Sequence, residues 1–388
     1  MIARITILMF LLILLPDIYI DLRIIRRKTR NLWWQRLLWW IPGIIMLAYT
    51  AYMVTIPDFA PRSMSVLTTY LFLVGVIVVP KAVFAVCSLL GWGHCRFHHT
   101  TNNWGNLVGM LLGTVVIVMV MYGSTWGFRK LVVRHEDYYS ADLPKAFDGY
   151  RIVHFSDAHA GSYVGSSASV LERAIDTINA QKPDMIVFTG DIQNMMPTEL
   201  APFAADFSRL KAKDGVFSIL GNHDYSGYIK ADEAVKAANE RKLQEYERSF
   251  GWTLLLNDNR TVRRGNDSIV IAGMENDGRP PFPQKGDVAK SLAGVKDGTF
   301  VIMLEHDPSA WRRKILPDTK AQLTLSGHTH AMQFSVFGWS PASFIYKEWG
   351  GMYTEGERAI NVSTGMGGFI PFRIGASNEI VVITLHRK

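Results

Sequence analysis

A chain of 388 residues that is 48% hydrophobic and 12% aromatic has room for two or three domains, and that composition excludes global disorder. The formal charge of +7 is unevenly placed: up to His135 there are 13 Lys and Arg against 3 Asp and Glu, and beyond it 28 against 31. A basic excess confined to the N-terminal third, beside apolar runs, reads as a membrane topology signal and not as a nucleic-acid footprint. The two cysteines, Cys87 and Cys95, supply neither a disulfide framework nor a Cys-based zinc site for the rest of the chain.

Four apolar stretches come first, at residues 2–20, 37–56, 66–90 and 105–126. The last three have the length of a helix crossing ~30 Å of hydrocarbon at about 1.5 Å per residue. The first is interrupted by Pro16 and Asp17. No small-x-small cleavage site follows it, and Asp21 to Arg30 is a basic loop, so it reads as a retained span and not as a secretory signal. The cluster Arg23, Arg26, Arg27, Lys28, Arg30 and Arg36 marks the loop after it as cytoplasmic. Four spans then give a multi-pass protein of the cell (inner) membrane, with everything after residue 127 on the extracytoplasmic side. Arg129, Lys130 and Arg134 pull weakly the other way, and the placement is expected to rest on the first stretch crossing. Trp33, Trp34, Trp39, Trp40, Trp92, Trp104 and Trp126 cluster near the span ends, as interfacial anchors do.

Within the spans, Lys81 beside Pro80 either faces a polar cavity or snorkels to the surface. Gly105, Gly109 and Gly113 form a small-xxx-small face suited to close helix packing. His94, Cys95, His98 and His99 would make a metal cluster or an ordinary interfacial loop; the lack of a second ligand group nearby favours the loop.

Residues 127–148 read as a polar connector, and a catalytic domain is expected over 149–388. From Tyr150, short apolar runs alternate with amphipathic stretches: RIVHF (151–155), MIVFTG (185–190), VFSILG (216–221), SIVIAG (268–273), FVIML (300–304) and AQLTLSG (321–327). Between them, 167–181, 198–213 and 230–250 carry helical spacing, as in Val170, Leu171, Ala174, Ile175 and Ile178. This order predicts an α/β core. Residues 251–264, with Asn257, Asp258 and Asn259, predict strand-turn-strand.

The residues that follow the strands carry the chemistry. Asp157 and His159 stand after the first strand, Gly190-Asp191 after the second and GNHD (221–224) after the third. Glu305-His306-Asp307 follows the fifth and SGHTH (326–330) the sixth. Loops at the carboxyl ends of strands are where α/β sheets assemble their sites, so the five are expected to converge on one cleft. Several carboxylates and imidazoles buried together need a compensating charge, which divalent metals supply. Oxygen donors mixed with imidazoles, without thiolates, suit Mn, Fe or Zn better than a structural Cys-type zinc site. The spacing of His328 and His330 lets them reach one ion or two neighbouring ones.

The ordered set DxH, GD, GNHD, the His in LEHDP and GHTH resembles the calcineurin-like metallophosphoesterase superfamily over about residues 150–385. FDGYRIVHFSDAH and the preceding helices resemble its membrane-anchored, bacterial-type subgroup. The resemblance implies an αββα fold, a pair of β-sheets flanked by helices. It also implies two metals bridged by Asp191: Asp157, His159 and His330 would complete the first, and Asn222, His306 and His328 the second. His223 would act as general acid or stabilise phosphoryl charge, with Asp224 as its orienting partner. Ala331 and Met332 depart from the glycines that many relatives carry after GHTH. Glu275, Asn276 and Asp277 also differ from the shorter acidic pair of relatives, and with Arg373 they are left without a role.

These readings predict a membrane-anchored phosphohydrolase acting on a phosphomonoester, phosphodiester or pyrophosphate bond through a metal-activated water. A phosphorylated substrate and the membrane are the expected partners, with a lipid-linked substrate suggested by the anchoring and no nucleic acid expected. The alternative is a transport or sensory membrane protein whose phosphoesterase domain is regulatory; the complete ligand set argues against a degenerate domain.

Overall fold

The computed structural model describes residues 5–28, 32–163 and 165–388. Arg30 and the first residues of the 2–20 stretch lie outside the described residues. Two compact units divide the chain, Met1–Thr125 and Trp126–Lys388.

The first unit is helical. α1 (Thr6–Ile20) continues through a π-turn at Asp21–Ile25 to Lys28, and α2 (Trp33–Val54), α3 (Met64–His98) and α4 (Trp104–Tyr122) follow. Among the described residues three helices, Trp33–Val54, Met64–His98 and Trp104–Gly127, are long and apolar enough to cross a membrane. Pro16 and Asp17, which interrupt the apolar run, lie within α1 without breaking it. Asp17 is buried and its Oδ1 lies 2.7 Å from Lys81 Nζ, while Lys81 sits over the Trp39 ring at 4.5 Å. The ion pair explains how a carboxylate and an ammonium can share an apolar environment. Gly105, Gly109 and Gly113 are buried against the Pro80–Cys87 stretch of α3, where added Cβ atoms would press on its backbone. His94, Cys95 and His98 occupy the last turns of α3 rather than a loop, and none joins a metal-ligand group among the described residues.

The second unit is a two-sheet sandwich. One sheet has the order β1-β12-β2-β3-β4-β5: β1 (Leu131–Ser140), β12 (Asn378–Arg387), β2 (Tyr150–Phe155), β3 (Met185–Phe188), β4 (Val216–Ser218) and β5 (Thr253–Leu254). The other has the order β10-β11-β9-β8-β7-β6: β10 (Gly351–Glu355), β11 (Arg358–Val362), β9 (Leu323–Ser326), β8 (Val301–Leu304), β7 (Asp267–Gly273) and β6 (Asp258–Arg264).

The strand β1 corrects the connector reading. It pairs in parallel with β12 from Leu131↔Asn378 to Ser140↔Arg387. Its centre, Arg134-His135-Glu136-Asp137, is polar because an edge strand leaves much of its surface in water, and that hid it. Both strands of the expected strand-turn-strand form, but β5 and β6 belong to different sheets, and β6 pairs with β7 instead.

Between the sheets, Ile152, Val187, Phe217, Ile271, Ile302, Leu304, Leu323 and Leu325 interdigitate. Each such side chain contributes about 1.5–3 kcal/mol of burial. The outer face of the first sheet packs on α5 (Ala168–Ala180) through Val170, Leu171, Ala174, Ile175 and Ile178, the predicted stripe. Trp311 and Ile315 cover the outer face of the second. Strands β2, β3 and β4 run parallel, as do β7, β8 and β9, so their carboxyl ends share an edge in each sheet.

Candidate functional site

Each strand hands its last residue to a loop that turns sharply. Asp157, His159, Asp191, His328 and His330 all have positive φ, between 47° and 73°. Non-glycine residues rarely adopt this region, and such strain gathers where structure serves a site. The adjoining glycines let the loops touch. A Cβ on Gly190 would strike the backbone of Gly221, and one on Gly327 would strike the side chains of Ser156 and Asp157. The glycine of SGHTH is therefore there for close approach.

The turns bring the expected residues together. His330 Nε2 lies 3.3 Å from Asp157 Oδ1 and 3.2 Å from His159 Nε2. Asp191 Oδ2 lies 3.7 Å from His159 Nε2 and 3.2 Å from His306 Nε2. On the far side, Asn222 Oδ1 is 2.7 Å from His328 Nδ1. The ligand atoms of Asp157, His159 and His330 fall within 4.8 Å of one another, as do those of Asp157, Asp191 and His306 and those of His159, Asp191 and His223. Asp191 thus stands between two groups of donors.

The electrostatics call for a cation. Burial drives His159 down to about 3 and His328 down to about 4, and it also lowers His330, so these imidazoles stay neutral with lone pairs to offer. Burial pulls His306 the same way, yet Asp191 and Asp157 overcome it and lift the ring to about 10. His159 Nδ1 and His330 Nδ1 are buried without hydrogen-bond partners. Two buried carboxylates that force a proton onto a neighbouring imidazole fit divalent cations well.

His223 stands within reach of this centre. Its Nδ1 is 2.6 Å from the Asn194 carbonyl, so that nitrogen donates and the exchangeable proton belongs to Nε2. The ring stacks on Tyr228 at 4.1 Å and meets His159 edge-on at 4.8 Å. Asp224 has a different task from the orienting one expected. It accepts backbone hydrogens from Asp191 (2.7 Å), Ile192 (3.0 Å), Gln193 (3.4 Å) and Gly221 (2.8 Å), tying the GD and GNHD loops together, while Asn194 holds the imidazole. Burial and the nearby Asp191 push Asp224 up to about 8, against those four donors, which favour the charged form.

Several contributors carry no motif. Glu199 accepts from the amides of Asn194 (2.6 Å), Met195 (3.0 Å) and Met196 (3.3 Å), and so braces the loop that holds His223. Tyr346 Oη lies 2.8 Å from His328 Nε2, and Asn222 Nδ2 donates to Tyr228 Oη at 2.7 Å. His306 Nδ1 is fixed 2.6 Å from the Thr189 carbonyl. Asn or Glu in a helical turn and Tyr in a loop are too ordinary to flag from sequence. Arg373 is fully buried and donates to the carbonyls of Thr364 (2.7 Å), Ala376 (2.9 Å) and Gly367, which makes it a structural group.

Comparison with known proteins agrees with this geometry. Residues 3–128 match the family described as "Probable Calcineurin-like phosphoesterase, transmembrane domain", and residues 150–332 match "Calcineurin-like phosphoesterase". The uncharacterized metallophosphoesterase YkuE of Bacillus subtilis is 34% identical over 257 residues, 63% of this chain and 82% of that protein. The chain is a calcineurin-like metallophosphoesterase.

Two further relatives of this metallophosphoesterase widen the picture. The transmembrane protein with metallophosphoesterase domain of Danio rerio is 31% identical over 252 residues, 63% of this chain, and the match spans about half, 54%, of that protein. The UDP-2,3-diacylglucosamine pyrophosphatase LpxG of Chlamydia trachomatis is 26% identical over 294 residues, 62% of this chain and 86% of that protein. The metallophosphoesterase is a hydrolase and a membrane protein, built as an N-terminal transmembrane region followed by a two-sheet catalytic domain.

Proposed function

We propose that this enzyme hydrolyses a phosphoester or pyrophosphate bond carried by a lipid-linked substrate, at a dinuclear centre bridged by Asp191. The observation that carries the reading is the place of Asp191 between Asp157, His159 and His330 on one side and His306, with Asn222 and His328, on the other. In this reading Asp157, His159, Asp191 and His330 hold the first ion, and Asp191, Asn222, His306 and His328 the second. Nitrogen and oxygen donors without thiolate suit Mn, Fe or Zn. When bound, such ions supply Lewis acidity, an acidified water and charge compensation at phosphorus.

The chain's own residues do the rest. His223, fixed through Nδ1 by Asn194, presents Nε2 as the group that gives a proton to the leaving oxygen. Tyr228 and Phe369, with ring centroids 4.1 and 5.3 Å from His223, restrict its rotation and screen it from water. Asp224 and Glu199 keep the two loops in register and act as positioning residues.

The lipid-linked part draws on the membrane region and on the likeness to LpxG, whose name specifies a lipid pyrophosphate substrate. The charge rule puts the catalytic unit on the extracytoplasmic face of the cell membrane. This placement does not depend on α1: the basic cluster lies before Trp33 or, for Arg36, in the first turn of Trp33–Val54, so crossings by Trp33–Val54, Met64–His98 and Trp104–Gly127 end outside whether or not α1 spans. A nucleotide-linked lipid precursor would be cytosolic, so the two parts of the proposal meet in one experiment. A C-terminal fusion reporter fixes the side, and a manganese-supplemented screen of nucleotide-linked, polyprenyl and glycerolipid phosphates fixes the class. Cytoplasmic reporter signal would sink the placement. Turnover confined to soluble phosphoesters would sink the lipid-linked reading.

A further inference from the structure

From Ala331 to Tyr346 the sequence AMQFSVFGWSPASFIY carries no charge. It departs from the metal centre and returns to it, beginning next to His330 and ending at Tyr346, whose hydroxyl lies 2.8 Å from His328 Nε2. Its apolar side chains face outward: Phe337 is fully exposed, Phe344 81%, Ile345 54%, Trp339 46% and Met332 41% exposed.

The loop is firmly built. Gln333 Nε2 donates to the carbonyls of Ile370 (2.7 Å) and Phe372 (2.8 Å), Ser335 N donates to Ile374 O (2.8 Å), and the buried Ser340 hydroxyl donates to Ala331 O (2.6 Å). Val336 and Trp339 exchange backbone hydrogen bonds at 2.9 and 3.0 Å around a two-residue turn in which both Phe337 and Gly338 have positive φ. Such turns favour Asn-Gly, and a bulky residue is disfavoured at the first position. Phe337 accepts that conformation while its ring stays in the open, so the stability of the fold does not explain it. A contiguous exposed apolar patch marks an interaction site.

We infer that this loop inserts into the surface of the lipid bilayer and holds the metal centre at headgroup level. Three residues, Phe128–Lys130, separate the apolar helix Trp104–Gly127 from β1, a tether of about 10 Å. Within the catalytic unit, Asn378 Nδ2 donates to the Phe128 carbonyl at 2.5 Å, and Ile374, four residues earlier, accepts from Ser335. The tether and the apolar loop therefore leave the catalytic unit beside one braced segment, residues 374–378. Exposed Phe and Trp without charge suit the interfacial zone. Placing the phosphate of a membrane-borne substrate beside the metals rests on the lipid-linked reading above; insertion itself does not.

The test uses the full chain in phosphatidylglycerol-containing nanodiscs, with Cys87 and Cys95 replaced by Ser and an environment-sensitive dye on Phe337→Cys. Insertion predicts blue-shifted emission and quenching by doxyl-labelled lipid, with no quenching of the same dye on Lys242→Cys, on the helix Glu233–Ser249. A Phe337 dye no more quenched than the Lys242 dye overturns the proposal. Shielding from an aqueous quencher without doxyl quenching overturns it too, because a second copy of the chain then covers the loop. In a second arm, Phe337→Asp/Phe344→Asp should lower turnover of a polyprenyl pyrophosphate in the disc by about tenfold or more, the partition value of one buried ring. Its rate on a soluble chromogenic phosphodiester should not change. An equal fall on both substrates overturns insertion as the loop's role. Doxyl quenching in an enzyme that leaves every lipid phosphate intact upholds insertion and removes the lipid-linked substrate instead.

Discussion

Replacing Asp224 by Asn separates a holding role from a chemical one. The carboxylate receives Asp191 and Gly221 amides on Oδ2 and Ile192 and Gln193 amides on Oδ1. Asn keeps one acceptor oxygen and turns an NH2 group toward two of those donors. With its carboxyl raised to about 8 the acceptor is largely uncharged at neutral pH, so a buried donor left without it costs about 1–3 kcal/mol; the 3.4 Å contact counts for little, and the loss comes to about 2–5 kcal/mol. For a domain of this size that lowers the melting temperature by about 10 °C. Because the GD and GNHD loops carry ligands of both ions, half-saturating manganese should rise by about 10- to 100-fold, as for other groups that orient metal ligands. Metal-saturated turnover should be largely kept. Tryptophan-monitored melting and a manganese titration of phosphodiesterase activity read both effects. An Asp224→Asn enzyme with unchanged melting and manganese dependence but little turnover would refute this reasoning and return Asp224 to the chemistry of His223.

Three other outcomes are expected. His154 is fully buried between Asn361 (3.1 Å) and Thr189 (2.9 Å), and burial lowers it to about 4. Since the unfolded imidazole titrates near 6.5, its contribution is complete above that pH and is lost as pH falls toward 4, by about 3 kcal/mol. His154→Gln should flatten that limb of the stability curve, and equal slopes in the two proteins would contradict it. Lys81→Met leaves Asp17 charged and buried, which should cost about 3–5 kcal/mol in detergent unfolding, and the added Asp17→Asn should recover most of it. A stable single variant would mean that the pair does not form. Tyr346→Phe removes the hydroxyl at His328 Nε2 and should weaken manganese affinity about tenfold with metal-saturated kcat nearly kept. A collapse of kcat at saturating manganese would instead place Tyr346 on the substrate.

The site was legible because its residues sit at strand ends, where a short motif and a local period coincide. GD, GNHD and GHTH each carry a glycine needed for close approach, and in GD and GHTH the donors beside it sit in a strained backbone; both leave a mark on the sequence. The αββα layers were legible from the alternation of short apolar runs with the Val170–Ile178 stripe. What stayed hidden is long-range or low-contrast. Lys81 could not be matched to Asp17 across 64 residues, and β1 is masked by its polar edge positions. Asp224 next to His223 in sequence suggested contact between them, yet its carboxylate turns to the backbone. Ala331 and Met332, unexpected after GHTH, take left-handed φ of 48° and 47°, a conformation that favours glycine, and they open the exposed apolar loop.

Metal content and turnover of Asp191→Asn test the central claim most directly. The parent enzyme, loaded with manganese, should carry two ions per chain by mass spectrometry and hydrolyse a chromogenic phosphodiester. Asp191→Asn should hold one ion at most and fall to background turnover while keeping its fold. A variant that keeps both ions and its full rate would contradict a centre bridged by Asp191.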